Sequence, residues 1–401
     1  MREYIHDYQR TLDRELHHLE SDTTLQKENT ELLLEFYRYN KLNGVSVPRL
    51  AKQLGTLRLV SKYVDKPYAK STRQDYEKFI LYLMEKKRSS ATVSTYMEIL
   101  KVFHKWLSKS QTYPECVSWM KCNGKKSKKL PENLLIQEDV KLLLAHAKYI
   151  RDRALIAVLW ESGARIGEIG GMGIKDVQFD EVGCRLTLDG KTGMRRIRII
   201  NAAPILLEWL NKHPKNNDPS CPVFINLADN YCQRMSHRGI MKTLKVIGKK
   251  AGLTKPVNPH HFRHSRATYM SQFLTESQLK EYFGWVQESK MAARYVHLSG
   301  KQVEDAILRM HGLAKEDRKE DILKNTVCPR CKQTNTVNNS HCLKCWLPLT
   351  EKAAFDSEER KQKEETGIIA LMKLLSRYRD EPEKLAETIK LIERGEALET
   401  K

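Results

Sequence analysis

The sequence predicts a mainly α protein carrying one small β-sheet, an α+β fold. Three observations predict it. Apolar residues recur at helical spacing along most of the chain, as at Leu50, Leu54, Leu57 and Val60. Strand-like alternation is confined to one stretch, GCRLTLDGKTGMRRIRII at 183–200. Composition changes near residues 121 and 350 divide the 401 residues into lobes, each long enough to bury a core.

Residues 1–120 read as a small helical domain. In ELLLEFY, Leu33, Phe36 and Tyr37 share a face. The next helix runs near Val47–Val64, with Pro48 tolerated in its first turn. Ser71-Thr72 precede a third, striped by Tyr76, Phe79, Ile80 and Leu83. Ser89 and Ser90 offer a cap to a fourth, with Tyr96, Leu100, Phe103 and Leu107 on one side. The surface cations Lys52, Arg58, Lys62, Lys66, Lys70 and Arg73 fit either a solvated face or phosphate contact.

Residues 121–134, KCNGKKSKKLPENL, form a basic linker with no acid before Glu132. Such a stretch suits a phosphate backbone, or simply a soluble tether. A larger domain follows over 135–315. Helices are expected at Asp139–Ala147 and Arg151–Glu161, the latter holding the most apolar run. After the turn at Gly163 come Arg165 and a short helix, then the hairpin, with Lys191 at its tip between Gly190 and Thr192. Helices at 202–212 and 235–250 lead to Pro259–Tyr295, and a closing helix lies near Lys301–Met310.

A net charge of +20 points to a polyanionic partner, nucleic acid before an anionic membrane surface. The start, MREYIHDYQR, contains no apolar signal region. The apolar run Ala154–Trp160 is far short of the roughly 20 residues of a membrane span. Cys116, Cys122, Cys184, Cys221 and Cys232 are scattered, while four cysteines cluster, so a reducing, cytoplasmic setting is expected.

That cluster is CPRCKQTNTVNNSHCLKC at 328–345, two Cys-x2-Cys pairs ten residues apart. Cys328, Cys331, Cys342 and Cys345 can place four thiolates around structural Zn²⁺, making 324–350 a zinc ribbon that binds DNA or protein. A redox pair would need a thioredoxin-like βαβ setting, which is absent here. The tail, 351–401, holds thirteen acids and eleven bases. Ile368, Met372 and Leu375 share one helical face and Leu385, Ile389 and Ile392 another, with Pro382 between them. This is a helical pair suited to protein contact.

Metal-free attack on a phosphodiester needs a nucleophile, cations for the non-bridging oxygens, an acid for the leaving oxygen and groups that orient the phosphate. Tyr295 suits the first task, Arg165 and Arg263 the second, Lys191 the third, His260 and Trp285 the fourth. Arginine donates two parallel hydrogen bonds to a phosphate, and a lysine on a hairpin tip can reach a leaving group. Each also has a structural reading. Arg165 can be a helix-start residue paired with Glu168, and Lys191 a turn lysine. His260, His261 and His264 can be satisfied interior histidines, Trp285 a core residue and Tyr295 a buried phenol.

The order Gly163-Ala164-Arg165-Ile166-Gly167-Glu168, Gly190-Lys191, His260-x-x-Arg263-His264-Ser265-x-Ala267-Thr268, Phe283-Gly284-Trp285 and Tyr295 resembles the tyrosine recombinases, including phage integrases and Xer-type enzymes. The resemblance spans the second domain and reaches the first around Ser90–Leu107, as in the family's core-binding domain. The Gly-Trp pair, YVHLSG and the Cys₄ cluster look most like archaeal integrase relatives. The family implies that Tyr295 forms a 3′-phosphotyrosyl link and leaves a 5′-hydroxyl. It implies phosphate binding by Arg165 and Arg263, hydrogen bonds from His260 and Trp285, and protonation of the 5′-oxygen by Lys191. His260 rather than His261 fits, being three residues before Arg263. Many members have histidine at Trp285, and the ten-residue interval from Trp285 to Tyr295 is one longer than usual. No cofactor is implied for the chemistry; the implied partner is double-stranded DNA, bound as a homo-oligomer, a tetramer on paired sites. A site-specific recombinase is therefore expected. A type IB topoisomerase-like strand transferase and a non-catalytic zinc-containing DNA-binding protein stand as alternatives.

Overall fold

The computed structural model describes residues 5, 7–122, 133–190, 192–228, 231–296, 308, 310–311, 325–336, 339–342 and 344–377. These fall into two compact units, residues 1–133 and 134–401. The linker lysines Lys125, Lys126, Lys128 and Lys129, most of the closing helix and the tail beyond 377 lie outside the described residues.

The first unit is helical: α1 (Tyr8–Ser21), α2 (Lys27–Leu42), α3 (Val47–Val64), α4 (Arg73–Glu85), α5 (Ser90–Leu107) and the single turn α6 (Glu115–Ser118). The four expected helices appear as α2 to α5. Helix α1 is additional; it buries only Leu12 and Leu19, too sparse a stripe among charged residues to stand out in the sequence. Local chemistry sets the starts. Thr72 and Asp75 form a reciprocal capping box on α4, and Ser89 accepts from the Thr92 N–H on α5. Leu33, Phe36, Leu57, Tyr76, Phe79 and Phe103 meet in one core. Most of the cations noted above are engaged within this unit: Arg58 with Glu15, Lys62 with Asp22, Lys66 with Asp75, and Arg73 with Glu77.

In the second unit, α7 (Gln137–His146) and α8 (Ile150–Ser162) open the chain. Helix α8 is almost wholly buried, with an apolar middle from Ala154 to Trp160 and buried charges at its ends that are paired, such as Arg151 with Asp152. It packs against α7, α10 (Ala203–Asn211) and α12 (Pro259–Met270). Between them run α9 (Ile166–Gly171) and three strands, β1 (Val177–Asp180), β2 (Gly183–Gly190) and β3 (Gly193–Ile199). The expected hairpin is β2–β3, with Leu186 opposite Ile197 and Gly190 opposite Gly193. Strand β1 was not expected: its VQFD lies mostly exposed at the sheet edge, without the buried alternation of Cys184, Leu186 and Leu188. Helices α11 (His237–Lys250), α13 (Glu276–Phe283) and α14 (Met291–Val296) complete the body. A two-stranded ribbon of β4 (Thr326–Val327) and β5 (Thr334–Asn335) follows, then α15 (Glu351–Arg377), one continuous helix. Among the described residues no helix is long and apolar enough to cross a membrane.

Candidate active site

The end of α8 and the start of α9 set the first arginine. Helix α8 stops at Gly163, whose φ of 54° favours glycine, and a Cβ there would come within 2.6 Å of the Phe283 ring. Arg165 then caps α9. Its backbone N–H donates to the Glu168 carboxylate at 2.8 Å; its side chain donates to the same carboxylate at 3.0 Å and to the Gly284 carbonyl at 3.0 Å. The structural reading of Arg165, pairing with Glu168, is thus a real contact, and the other arm of its fork crosses to Gly284.

Glu168 is shared. Arg195, on β3, meets it with both Nη atoms at 2.8 Å, while Arg195 Nε donates to the Tyr282 carbonyl at 2.8 Å. Burial alone would raise this carboxyl, but the Arg195 fork and Arg165 hold it below its ordinary value. Sequence reasoning did not single out Arg195. Three arginines stand at 195, 196 and 198, and no local signal says which one turns inward.

Helix α12 supplies the next group. Asn258 caps it by accepting from the His261 N–H at 3.0 Å, and Pro259 occupies its first turn. The i, i+3, i+4 spacing brings His260, Arg263 and His264 to neighbouring positions, whereas His261 is 1% exposed. Arg263 donates to the Gly163 carbonyl at 3.1 Å and to the Phe283 carbonyl at 2.6 Å. Its guanidinium lies over the rings of Phe283 and Trp285, at 5.0 and 5.3 Å. Burial, then the neighbouring Arg165, push its pKa down to about 9, so it stays cationic at neutral pH.

Tyr295, on α14, is 4% exposed. Its hydroxyl hydrogen-bonds His264 Nδ1, and His264 Nε2 lies 2.8 Å from His260 Nε2. The phenol stacks on Trp285 at 5.7 Å and 4°, and Trp285 stacks on Phe283 at 5.0 Å. Burial raises the phenol to about 12, against the pull of Arg263 and Arg294. Five of the six candidate residues, Arg165, Arg263, His260, Trp285 and Tyr295, therefore belong to one chain of contacts. Lys191 lies outside the described residues. Beside it, Thr192 Oγ1 donates to the Gly284 carbonyl at 3.0 Å, tying the hairpin to the residue that Arg165 holds. Trp285 lies in the connection between α13 and α14, and Tyr295 within α14.

The four clustered cysteines form a separate centre. Their Sγ atoms lie within 4.8 Å of one another, with Cys328 to Cys345 at 3.5 Å and Cys331 to Cys342 at 3.4 Å. Zn–S bonds of about 2.3 Å give tetrahedral S···S edges of about 3.8 Å, so the set fits Zn²⁺. The two halves repeat one turn. Cys328 O accepts from Lys332 N–H and Cys342 O from Trp346 N–H, both at 2.9 Å, and Lys332 and Trp346 are both left-handed, at φ 58° and 59°.

Residues 133–302 match the phage integrase family. The tyrosine recombinase XerA of Pyrococcus furiosus is 27% identical over 286 residues, covering 70% of this chain and 94% of that protein. The tyrosine recombinase XerC of Actinobacillus succinogenes is 30% identical over 199 residues, covering 48% of this chain and 65% of that protein. Among solved structures, XerH recombinase bound to palindromic difH substrate, a post-cleavage complex, is 18% identical with a TM-score of 0.51, covering 78% of this chain and 98% of that one. A lambda integrase dimer bound to a COC′ core site is 15% identical with a TM-score of 0.55, covering 66% and 76%. These two likenesses concern the fold, which is mainly helical with a small antiparallel sheet. With the match spanning the domain that holds the arginines, histidines and tyrosine, and Xer relatives aligned through it, residues 133–302 form a phage integrase family domain similar to that of the Xer tyrosine recombinases.

Proposed function

We propose that this chain is a site-specific DNA recombinase in which Tyr295 attacks the scissile phosphate. The Tyr295 oxygen bonds to phosphorus, the bond from phosphorus to the 5′-oxygen breaks, and a 3′-phosphotyrosyl link remains. A 5′-hydroxyl of another strand reverses the step, so bond energy is conserved and no nucleotide cofactor is needed. Arg165 and Arg263 hold the non-bridging oxygens, His260 and Trp285 donate hydrogen bonds, and Lys191 protonates the leaving oxygen. The observation that carries this reading is the chain of contacts from Tyr295 to His264 and Trp285 and from Trp285 to Arg263, with Arg165 held on the carbonyl of Gly284, next to Trp285. Relatives named tyrosine recombinases support it over the topoisomerase-like and non-catalytic alternatives.

Double-stranded DNA is the proposed substrate, bound by a homo-oligomer, a tetramer when two sites are paired. XerH was solved bound to palindromic difH substrate, and lambda integrase bound to DNA and as a tetramer bound to a Holliday junction. We assign DNA contact to the helical domain 1–120 and the linker 121–134, and chemistry to 135–315. Structural Zn²⁺ belongs to 324–350, held by Cys328, Cys331, Cys342 and Cys345, and protein contact to 351–401. Nine cysteines without a disulfide support a reducing cytoplasm.

The test uses nicked duplexes of randomised sequence, with covalent protein–DNA adducts captured under denaturing conditions and sequenced. Wild type is expected to enrich one site, and Tyr295→Phe to form no adduct. No enrichment by wild type, or an adduct with Tyr295→Phe, defeats the reading.

A further inference from the structure

His264 stands between Tyr295 and His260. Its Nδ1 bonds the Tyr295 hydroxyl and its Nε2 is 2.8 Å from Nε2 of His260, one turn back on α12. If Nδ1 accepts from the phenol, the neutral ring carries its proton on Nε2 and donates it to His260, whose own proton then sits on Nδ1. One arrangement of protons thus satisfies both contacts. The phenol is fixed in place by its stack on Trp285.

Nothing assigned so far removes the phenolic proton. Burial raises the phenol to about 12, so phenolate is scarce at neutral pH and proton loss must accompany attack. A positioned imidazole, ordinarily titrating near 6.5, is a base suited to that task. Glu168 is not available for it, being held by two arginines. Among the described residues, the ionisable groups around the contact include His260 and Arg263 on α12, with Tyr295 and Arg294 on α14.

We propose that His264 is a catalytic residue whose Nδ1 takes the Tyr295 proton during attack, with His260 sharing the N–H on its far side. This rests on Tyr295 being the nucleophile. In cleavage the O–H bond of Tyr295 breaks as N–H forms on His264, the tyrosine oxygen bonds to phosphorus, and the 5′-oxygen leaves with a proton from a different acid. In religation His264 returns its proton to the tyrosine oxygen. A merely structural histidine would hold the ring and exchange no proton.

The duplex captured by the adduct assay is remade with sulfur replacing the 5′-bridging oxygen, a leaving group that needs no acid. Wild type is expected to form adduct at a rate that rises as imidazole deprotonates and then levels. His264→Gln and His264→Asn, the latter keeping a polar atom near the Nδ1 position, are expected to be slower by about 10²-fold on both substrates and to lose that rise. Lys191→Ala is expected to recover on the sulfur substrate alone. Melting curves confirm that each variant is folded. Wild-type rates in His264→Gln or His264→Asn, or slow rates with the wild-type pH profile, overturn the assignment. Absence of adduct from wild type instead removes Tyr295 as nucleophile.

Discussion

Glu168 and Arg195 meet fork to fork, Nη1 to Oε1 and Nη2 to Oε2, both at 2.8 Å, with the Glu168 side chain 2% exposed. The pair fastens β3 to α9, and Arg195 continues to the Tyr282 carbonyl at the end of α13. Removing one member of a buried pair strands the other charge. Arg195→Met is therefore expected to lower stability by about 3 kcal/mol, and Glu168→Gln to do the same by leaving two guanidiniums together. The double substitution should cost less than the sum, read as urea midpoints in a double-mutant cycle.

The same carboxylate sets an acid limit. Glu168 titrates below its ordinary value when folded, so its contribution is complete above about pH 4.3, the unfolded value, and disappears as pH falls through the folded one. The gap in melting temperature between wild type and Glu168→Gln should be constant from pH 7 to 5 and close on further acidification.

His104, buried between α5 and α4, accepts or donates at 2.6 Å with the Tyr76 hydroxyl, and burial pushes its pKa down to about 4. Between that value and about 6.5 the unfolded chain binds the proton more readily, so stability is full above 6.5 and falls as pH drops towards 4. The expected loss is about 3 kcal/mol by pH 4. Hydrogen exchange of α4 and α5 amides in the intact protein checks it, and His104→Gln should remove this part of the slope.

Arg263 serves two carbonyls and lies over two rings, which a lysine ammonium cannot reproduce. Arg263→Lys should reduce the rate of adduct formation by about 10²-fold or more, with DNA affinity changed far less. Equal losses in affinity and rate would mean that Arg263 only binds.

Elemental analysis should find one zinc per chain, lost in Cys342→Ser and after treatment with a strong chelator. Loss of the ion should unfold the ribbon and leave α7 to α14 melting as before, since among the described residues the cysteine sulfurs form a centre separate from Arg165, Arg263 and Tyr295.

The helices and the hairpin were legible because each buries a periodic face: Leu54 and Leu57 in α3, Phe79 and Ile80 in α4, Leu186 and Leu188 in β2. The Cys₄ set was legible for a different reason, since its spacing alone brings the thiolates together. Strand β1 was not, because an edge strand held by backbone pairing leaves little trace in side-chain pattern. Of the site, the motif residues could be named, but not what holds them. Arg195 looks like its neighbours Arg196 and Arg198, and the carbonyls of Gly163, Phe283 and Gly284 carry no sequence signature at all. Which of the adjacent histidines reaches Tyr295 depends on how α14 docks, a tertiary fact.

Those carbonyls have a consequence for how an anion would arrive. Arg263 already rests on Phe283 and Gly163 rather than in bulk water, while the part-exposed Arg165 is held on Gly284. The free energy of stripping water from Arg263 was incurred when the chain folded, so a phosphate oxygen meets a cation whose direction and dehydration are settled. Its entry is an exchange of one oxygen acceptor for another, with little solvent left to reorganise as charge builds on phosphorus.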